Sequence, residues 1–421
     1  MPKVPISKPS NVITLLLVAG SCGACYASTS TPAWLDPTPY EEPAYPFVMR
    51  KIEGLPDGSR SIAQTAQNAC VLDAGGAVSC WGSNEFGHSG APPGSPSRKI
   101  RDPVRIPQVT SLSGQGRHYC AVAADSTVFC WGANPDGRLG VPSRGGEDQR
   151  WEAVQVEGLT DAVQVSVTDG GSCALRGNGE VWCWGFSSCS YNLDLGGVLQ
   201  CVQDGTEPKR VAGIDNAKEI AISETRALVL FDDGSVSSWN PGRWDTGRSA
   251  SPRPVEGWLG VESIAASSSF SGADCAILES GVLECWDSVA DKTANCRDTS
   301  PYKVKGLGRT NLATLGTTTG CAVAEDGVLR CWAWEDVSGF PCRFDEHGDS
   351  IEPDFVLEIP GLDVVSLSNT GAVACAVLDD GDVVCWGLRS NALLGGSIWP
   401  EDIGHLLASV LMPELRGFHS Q

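Results

Sequence analysis

One spacing recurs along the chain: a cysteine, nine further residues, a second cysteine and then a tryptophan. With a seventh unit that ends in Trp239, successive tryptophans lie 46 to 55 residues apart. A period of this length predicts a repeat architecture, in which each unit buries its apolar face against the next one. The six cysteine pairs are Cys70 with Cys80, Cys120 with Cys130, Cys173 with Cys183, Cys275 with Cys285, Cys321 with Cys331, and Cys375 with Cys385.

The seventh unit shows what the cysteines do. Leu228 and Ser238 occupy its two cysteine positions, so both partners are replaced together. A bonded pair predicts this joint replacement, whereas independent metal ligands or catalytic thiols need not vanish together. We therefore predict that the six intact pairs are disulfides.

The residues between the cysteines form a turn. Gly is the sixth residue after the first cysteine position in six of the seven units. A three-residue hairpin loop is a type I turn followed by a left-handed residue, which is usually Gly. Such a loop places the two cysteines opposite each other on antiparallel strands, with Cα atoms about 4.5 Å apart in a non-hydrogen-bonded pair. That separation permits a disulfide, and the next residue, Trp, then faces the neighbouring unit.

Two more apolar segments precede each hairpin, such as 104–106 and 109–112 in the second unit. Each unit thus offers four short strands, which is the content of one propeller blade. The sequence predicts an all-β, seven-bladed β-propeller with four-stranded blades, most of them carrying one cross-strand disulfide. Segments 47–52 and 408–412 are both candidates for the strand that closes the ring, and the sequence leaves this choice open.

The amino terminus has the features of an export signal. Lys3 and Lys8 precede a short apolar run at 12–20, which is too short to span a bilayer and fits a secretory signal. The following segment resembles a bacterial lipobox that ends at Cys22, so we favour a lipoprotein signal at 1–21 with lipidation of Cys22. Cleavage after Ala27 is the alternative. We expect an outer-membrane or cell-surface lipoprotein, or otherwise a secreted or periplasmic protein.

The remaining domain boundaries follow from composition. Residues 22–46 are rich in Pro, Ser and Thr and predict a linker. The propeller is expected over 47–415, with a C-terminal tail at 416–421.

Net charge and cysteine content limit the partners. The formal net charge is −21, which argues against nucleic acid. The chain has 18 cysteines, far more than a reduced cytosolic protein of this kind would carry. Structural zinc requires close cysteine pairs, and the one such pair is Cys22 with Cys25 in the leader.

Four cysteines lie outside the leader and the repeat pairs. Cys189 and Cys201 both fall in a long insertion at 187–205, and their pairing would close that loop. Cys296 and Cys342 each follow a repeat Trp by ten residues, so we expect them to pair between adjacent units.

Residues 78–87 (VSCWGSNEFG) and 128–137 (VFCWGANPDG), which Arg138-Leu139-Gly140 extends, resemble the regulator of chromosome condensation repeat family. The paired cysteines resemble an exported, cysteine-rich bacterial branch of it. The resemblance covers about 47–415 and implies the propeller fold. Relatives of this fold bind proteins, which favours a protein-binding role. Asn240, Asp287 and Ala333 replace the Gly that normally follows the Trp.

Catalytic and cofactor motifs are missing from the sequence. The chain has five His with no metal-binding spacing, no nucleophile elbow and no phosphate-binding loop. His118 lies where the repeat of the resembled family commonly places a His, which implies a packing role within the blades. We therefore expect no enzyme activity, no metal and no cofactor.

Five insertions are the candidate binding loops, because loops on a rigid scaffold usually carry function. Trp151, Trp244 and Trp334 lie in or beside them as candidate contact residues. The insertions are 92–101, 142–151, 187–205, 240–251 and 334–349.

Three functions remain open. The first is a cell-surface or secreted module that binds an extracellular or envelope protein. The second is glycan binding or adhesion, and the third is an extracellular enzyme with its site in the central channel. Membrane contact is expected only through the lipid anchor.

Overall fold

The computed structural model describes residues 47–93, 95, 104–145, 148–186, 188–192, 198–202, 205–223, 226–240, 251–267, 274–286, 301–317, 319–333, 355–371 and 373–388. Within these ranges, no helix is long and apolar enough to cross a membrane.

The described strands form seven antiparallel sheets, one for each repeat, and a separate two-stranded hairpin. Six sheets have four strands, and the sheet of blade 1 has three. We number the blades 1 to 7 along the chain. In order from the first to the fourth strand, the strands are: blade 1, Ser59–Gln64, Asn68–Asp73 and Val78–Gly82; blade 2, Val109–Gln115, His118–Ala123, Val128–Ala133 and Gln149–Gln155; blade 3, Ala162–Val167, Ser172–Arg176, Val181–Trp184 and Lys209–Arg210; blade 4, Ala217–Ile222, Ala227–Phe231, Val236–Trp239 and Arg253–Pro254; blade 5, Val261–Ala265, Asp274–Leu278, Leu283–Trp286 and Tyr302–Lys303; blade 6, Thr310–Leu315, Thr319–Ala324, Leu329–Ala333 and Phe355–Ile359; blade 7, Val364–Asn369, Val373–Leu378, Val383–Leu388 and Phe47–Lys51.

The blades form a closed ring. The first strand of each blade contacts the first strand of the next, and that of blade 7 contacts that of blade 1. The first strands are therefore innermost and surround the central axis. The structure confirms the predicted seven-bladed all-β propeller.

The N-terminal segment closes the ring. Phe47–Lys51 pairs antiparallel with Val383–Leu388 and supplies the outermost strand of blade 7. Of the two segments that the sequence offers for this role, 47–52 is thus used, while 408–412 lies outside the described residues.

The sequence pattern predicts that both apolar segments before a hairpin belong to the same blade as that hairpin. This prediction was wrong for the first of the two segments, which lies at the outer edge of the preceding blade. Phe355–Ile359 is the outer strand of blade 6, since it pairs with Leu329–Ala333. Likewise Val104 donates its backbone N–H to the Val78 carbonyl at the edge of blade 1. Blades 2 to 6 therefore take their fourth strand from the chain that follows their own hairpin.

The six repeat cysteine pairs are disulfides, and each joins the second strand of a blade to the third. The two Cα atoms are 3.9 to 4.1 Å apart, somewhat closer than the separation expected from an ordinary strand pair. In blade 4, Leu228 and Ser238 occupy the same register position. The disulfides join Cys70 to Cys80, Cys120 to Cys130, Cys173 to Cys183, Cys275 to Cys285, Cys321 to Cys331, and Cys375 to Cys385.

The hydrophobic core lies between the blades. Trp184 of blade 3 packs in a cluster with Cys120, Val122 and Leu139 of blade 2. Trp239 packs in the same way against blade 3, and Trp386 against blade 6. Each repeat Trp thus buries its ring against the preceding blade, as its position after the cysteine predicts. Loss of such a ring typically costs about 3–5 kcal/mol.

Candidate functional site

One end of the propeller carries the predicted binding loops. In an antiparallel four-stranded blade, the first-to-second and third-to-fourth connections leave from the same end, which we call the loop face. Four of the five predicted insertions connect a third strand to the fourth strand that follows it, and the insertion at 92–101 likewise follows the third strand of blade 1. The opposite end, the turn face, carries the tight hairpin turns.

Trp151 lies on the outer strand of blade 2 and is 37% exposed. It meets Gly87 of blade 1, where an added Cβ would lie only 2.7 Å from the Trp151 Cβ, and where φ is +71°. Gly87 thus lets the two blades approach closely below this tryptophan. The other two candidates, Trp244 and Trp334, lie outside the described residues.

A charged cluster covers the loop face from blade 1 to blade 3. The Arg117 guanidinium lies 5.2 Å from the centre of the Phe86 ring of blade 1. Its Nη2 donates to Asp169 Oδ2 of blade 3 at 3.2 Å. Arg117 therefore bridges the two neighbouring blades, while 48% of its side chain remains exposed.

Arg138 supports this cluster from below. Its guanidinium makes ion pairs of 2.9 Å with both Asp136 and Asp169, and its side chain is buried. Its backbone carbonyl accepts hydrogen bonds from Ser172 Oγ and from Trp184 Nε1, each at 2.9 Å. Since the main chain of Arg138 is fixed by blade 3, the side chain holds Asp169 in place for Arg117. We call Phe86, Arg117, Asp136, Arg138 and Asp169 the Arg117 platform.

The platform is charged at neutral pH. Burial opposes ionisation of Asp169, but the hydrogen bond from Arg117 and the charges of Arg138 and Arg117 outweigh it, so the Asp169 pKa lies below its ordinary value. Burial and the charge of Arg138 lower the pKa of the neighbouring His118 to about 3, so this imidazole stays neutral.

His118 lies next to a serine but is poorly suited to catalysis. Its Nε2 is 2.9 Å from Ser172 Oγ, and both residues are fully buried. Because the Ser172 hydroxyl donates its hydrogen to the Arg138 carbonyl, its oxygen accepts a hydrogen bond from His118 Nε2–H. The imidazole therefore does not act as a base on this serine. His118 therefore joins blades 2 and 3, in line with its expected packing role.

The insertion of blade 3 contains a hairpin, formed by Ser188–Asn192 and Val198–Val202. We call it the blade 3 hairpin. The backbone register places Cys189 opposite Cys201, as their predicted pairing requires. The predicted pair of Cys296 with Cys342 and the lipidation site Cys22 lie outside the described residues.

The base of this hairpin is anchored beside the Arg117 platform. The backbone N–H of Gly185 donates to the Gly205 carbonyl, so the insertion leaves and re-enters the blade at one point. A Cβ added at Gly185 would overlap the backbone of Arg138. The base of the hairpin thus lies against Arg138 of the platform.

The central channel is surrounded by the first strands. Over the described first strands, the acidic residues are Glu219 and Glu262, and none of these strands contains a histidine. Glu219 accepts a hydrogen bond from Ser263 Oγ at 3.2 Å, whereas Glu262 is exposed. Among the described residues, no group of three or more His, Cys, Asp or Glu side chains is arranged to hold a metal ion.

The model of the regulator of chromosome condensation (RCC1) repeat matches residues 162–190 of this chain. This segment covers the first three strands of blade 3 and the start of its hairpin. The match supports the RCC1 repeat family for this propeller. A sequence comparison with curated proteins gave no match.

Solved structures of three other proteins or complexes share the fold. Prp20p from Saccharomyces cerevisiae, described with its binding properties to Gsp1p and histones, is 17% identical over 78% of this chain and 82% of its own, with a TM-score of 0.54. Human WBSCR16 is 16% identical over 80% and 89%, with a TM-score of 0.58. Yeast RCC1 (Prp20) bound to Kap60 is 16% identical over 83% and 82%, with a TM-score of 0.53. At these identities the likeness establishes the fold alone.

Sequence reasoning missed most of the platform. Phe86 and Arg138 lie inside the repeat motif, where they looked like fold determinants. Arg117 and Asp169 lie in the short first-to-second connections, whereas the length of the insertions had favoured the third-to-fourth connections. The sequence does contain one indication of the platform. The first-to-second connections of the adjacent blades 2 and 3 each carry a charged residue next to Gly, namely Gly116-Arg117 and Asp169-Gly170.

Proposed function

We propose that this propeller is a protein-interaction module whose partner docks on the loop face over blades 1 to 3. The observation that carries the proposal is the half-exposed Arg117, which Phe86 and Asp169 hold in one orientation. Arg and aromatic side chains dominate binding energy at protein interfaces, and a side chain that is already fixed loses less entropy when a partner binds.

The RCC1-like propellers give this proposal its context. Prp20p is described with its binding to Gsp1p and histones, and yeast RCC1 with Kap60. Their shared fold favours protein binding here without transferring any contact residue. The blade 3 hairpin would add a second contact element beside Arg117.

We further propose that the module acts outside the cytoplasm, either anchored by a lipid on Cys22 or freely secreted. The signal-like segment at 1–21 and the six disulfides support this location, because disulfides persist in oxidising compartments. The partner is then an extracellular or envelope protein. The proposal includes no catalytic step.

Capture followed by quantitative binding tests the site. The oxidised full chain is immobilised and exposed to envelope and culture-supernatant extracts, and retained proteins are identified, purified and titrated against it. We expect Arg117→Ala to weaken the affinity about tenfold or more, as a central interface arginine does. Replacing 187–204 by a direct link from Phe186 to Gly205 should also weaken it without unfolding the blade, since Gly185 and Gly205 already bond.

Arg309→Ala is the matched control. Arg309 also forms an exposed ion pair, with Glu325, but it lies on the turn face and 56% of its side chain is exposed. Its replacement should leave the affinity unchanged. Equal effects of Arg117→Ala and Arg309→Ala would contradict docking on the loop face.

Glycan binding is the second candidate function, and the exposed ring of Trp151 is the observation that favours it. Aromatic rings in such positions stack on the apolar faces of sugars. A glycan array would support this function if it showed binding that Trp151→Ala abolishes and Arg309→Ala retains. Array binding that survives Trp151→Ala would count against it.

A further inference from the structure

Side chains of the inner strands connect adjacent blades around the channel. Between blades 3 and 4, Gln164 makes two hydrogen bonds to one residue of the next inner strand. Its Oε1 accepts from the Ile220 backbone N–H at 2.9 Å, and its Nε2 donates to the Ile220 carbonyl at 3.1 Å. We call the contact between the inner strands of two adjacent blades a seam. The amide group of Gln164 suits this seam because it supplies both an acceptor and a donor.

Glu219 occupies the same position at the next seam, between blades 4 and 5. Gln164 pairs with Leu175 directly after the bulge of its inner strand, and Glu219 pairs with Leu230 directly after the equivalent bulge. Glu219 accepts from Ser263 Oγ at 3.2 Å and from the backbone N–H of Ile264. Ile264 follows the bulge of blade 5 as Ile220 follows the bulge of blade 4.

A carboxyl group reproduces the amide contacts only when it is protonated. An ionised carboxylate accepts hydrogen bonds but donates none. The bond that Gln164 donates to the Ile220 carbonyl therefore has a counterpart at Ile264 only while Glu219 carries its proton.

The surroundings favour that protonated form near neutral pH. Burial raises the pKa of Glu219 to about 7, against the opposing hydrogen bonds from Ser263 and Ile264 and the charge of Lys218. Among the described strands packed against it, the charged groups are Lys218 on its own strand, Glu262 on the inner strand of blade 5 and Arg176 on blade 3. Arg176 is paired with Asp161 and Glu180.

We propose that Glu219 is a proton-operated latch between blades 4 and 5. The acid form spans the seam with both accepted and donated hydrogen bonds, as Gln164 does one seam earlier. Ionisation removes the donated bond and loosens the inner strand of blade 5. This inference is independent of the proposed binding function.

The seam has two features that allow such loosening. Blade 4 carries Leu228 and Ser238 where the other six blades carry a disulfide. A cavity of about 40 Å³, lined by Ser263, Ile264 and Leu312 among others, lies on the far side of the blade 5 inner strand. The strand that Glu219 holds is therefore less tightly packed on its other side.

Hydrogen exchange measured by mass spectrometry tests the latch. Exchange of peptides that cover 261–267 is compared at pH 5.5 and pH 8.5 in the full oxidised chain, after correction for the intrinsic exchange rate. We expect protection of this strand to fall about tenfold or more at pH 8.5, because an acid whose pKa is raised in the closed state favours opening as the pH rises. At both pH values, Glu219→Gln should show the protection that the wild type shows at pH 5.5.

Gln164→Glu is the reciprocal variant. It places a carboxyl group in the seam between blades 3 and 4 and should make the protection of 217–222 depend more strongly on pH than in the wild type. The proposal is wrong if the pH dependence at 261–267 persists in Glu219→Gln, if it is absent from the wild type, or if Glu219→Gln fails to fold.

Discussion

The hydroxyl of Tyr119 in blade 2 lies 3.0 Å from the backbone carbonyl oxygen of Asn68 in blade 1 and 2.9 Å from its side-chain Oδ1. Residues at the equivalent place in the repeat, the start of the second strand, also connect other blades. Between blades 2 and 3 they are His118 and Ser172. Between blades 4 and 5 they are Arg226 and Asp274, which form a buried ion pair of 2.6 Å. Three pairs of neighbouring blades are thus connected at this place by three different pairs of polar side chains.

Tyr119→Phe removes one of these connections. The buried Asn68 oxygens lose a donor, so we expect the free energy of unfolding to fall by about 1–2 kcal/mol. Urea unfolding of the oxidised protein measures the change. In a double-mutant cycle with Asn68→Ala, the combined cost should be smaller than the sum of the single costs. Strictly additive costs would mean that the contact of Tyr119 with Asn68 Oδ1 contributes nothing, since Asn68→Ala keeps the backbone carbonyl.

Leu228→Cys with Ser238→Cys should create in blade 4 the cross-strand disulfide that the other six blades carry. These residues lie opposite each other on adjacent strands, at the positions that a disulfide joins in the other blades. The new cysteines therefore face each other. We expect a mass loss of about 2 Da on oxidation, and an oxidised form about 3 kcal/mol more stable than the reduced form of the same variant, with the native disulfides kept intact. Ser238→Cys alone should show neither effect, and two free thiols in the oxidised double variant would contradict the register.

His88→Gln should reduce the acid sensitivity of the fold. Burial lowers the pKa of His88 to about 4, against a smaller opposing effect of the Ser83 backbone. The folded state thus resists protonation, and the stability present above about pH 6.5 is lost as the pH falls towards 4. Between pH 7 and pH 5 we expect the variant to lose about 2 kcal/mol less than the wild type, as measured by urea unfolding at each pH.

Glu219→Gln should change the pH dependence of the free energy of unfolding in the opposite direction to His88→Gln. Since the pKa of Glu219 is raised to about 7, its contribution to stability is full below about pH 4.5 and falls as the pH rises to 7. Removing it should steepen the loss on acidification. Profiles for the two variants that run parallel to the wild type would show that neither group titrates in the folded range.

The outer strand of blade 7 should be separable from the rest of the ring. A chain lacking residues 1–53 loses the strand Phe47–Lys51 and the Ile52 N–H bond to the Val383 carbonyl. We expect its thermal midpoint to fall by several degrees. A synthetic peptide of residues 45–53 in excess should restore it, and a reversed-sequence peptide should not. An unchanged midpoint after truncation would contradict closure by this strand.

The local structure was readable from the sequence because each blade repeats it. The turn of blade 2 has Ser126 where the other six hairpin loops have Gly, yet Ser126 adopts the same left-handed conformation, with φ 67°. The register of the turn therefore persists without the glycine. Cysteine spacing, hairpin register and Trp packing all follow from contacts within a single repeat unit or between adjacent ones.

Relationships between distant parts of the chain were not readable. Phe47–Lys51 resembles any other short apolar strand, and its partner at Val383–Leu388 lies at the opposite end of the repeats. The Arg117 platform likewise depends on side chains from three blades, whose proximity arises only when the ring is built. The identity of Glu219 as the counterpart of Gln164 required the positions of the bulges.

Ring closure by the amino-terminal strand also sets an order of events during synthesis. The ion pair of Lys51 with Asp382 joins residues 331 positions apart, so the first strand made must wait for almost the whole propeller before it finds its partner. The disulfides impose no such delay, since each joins cysteines ten positions apart within one hairpin. Individual blades can therefore be covalently locked while the nascent chain is still open, and the ring is completed only as the last blade emerges.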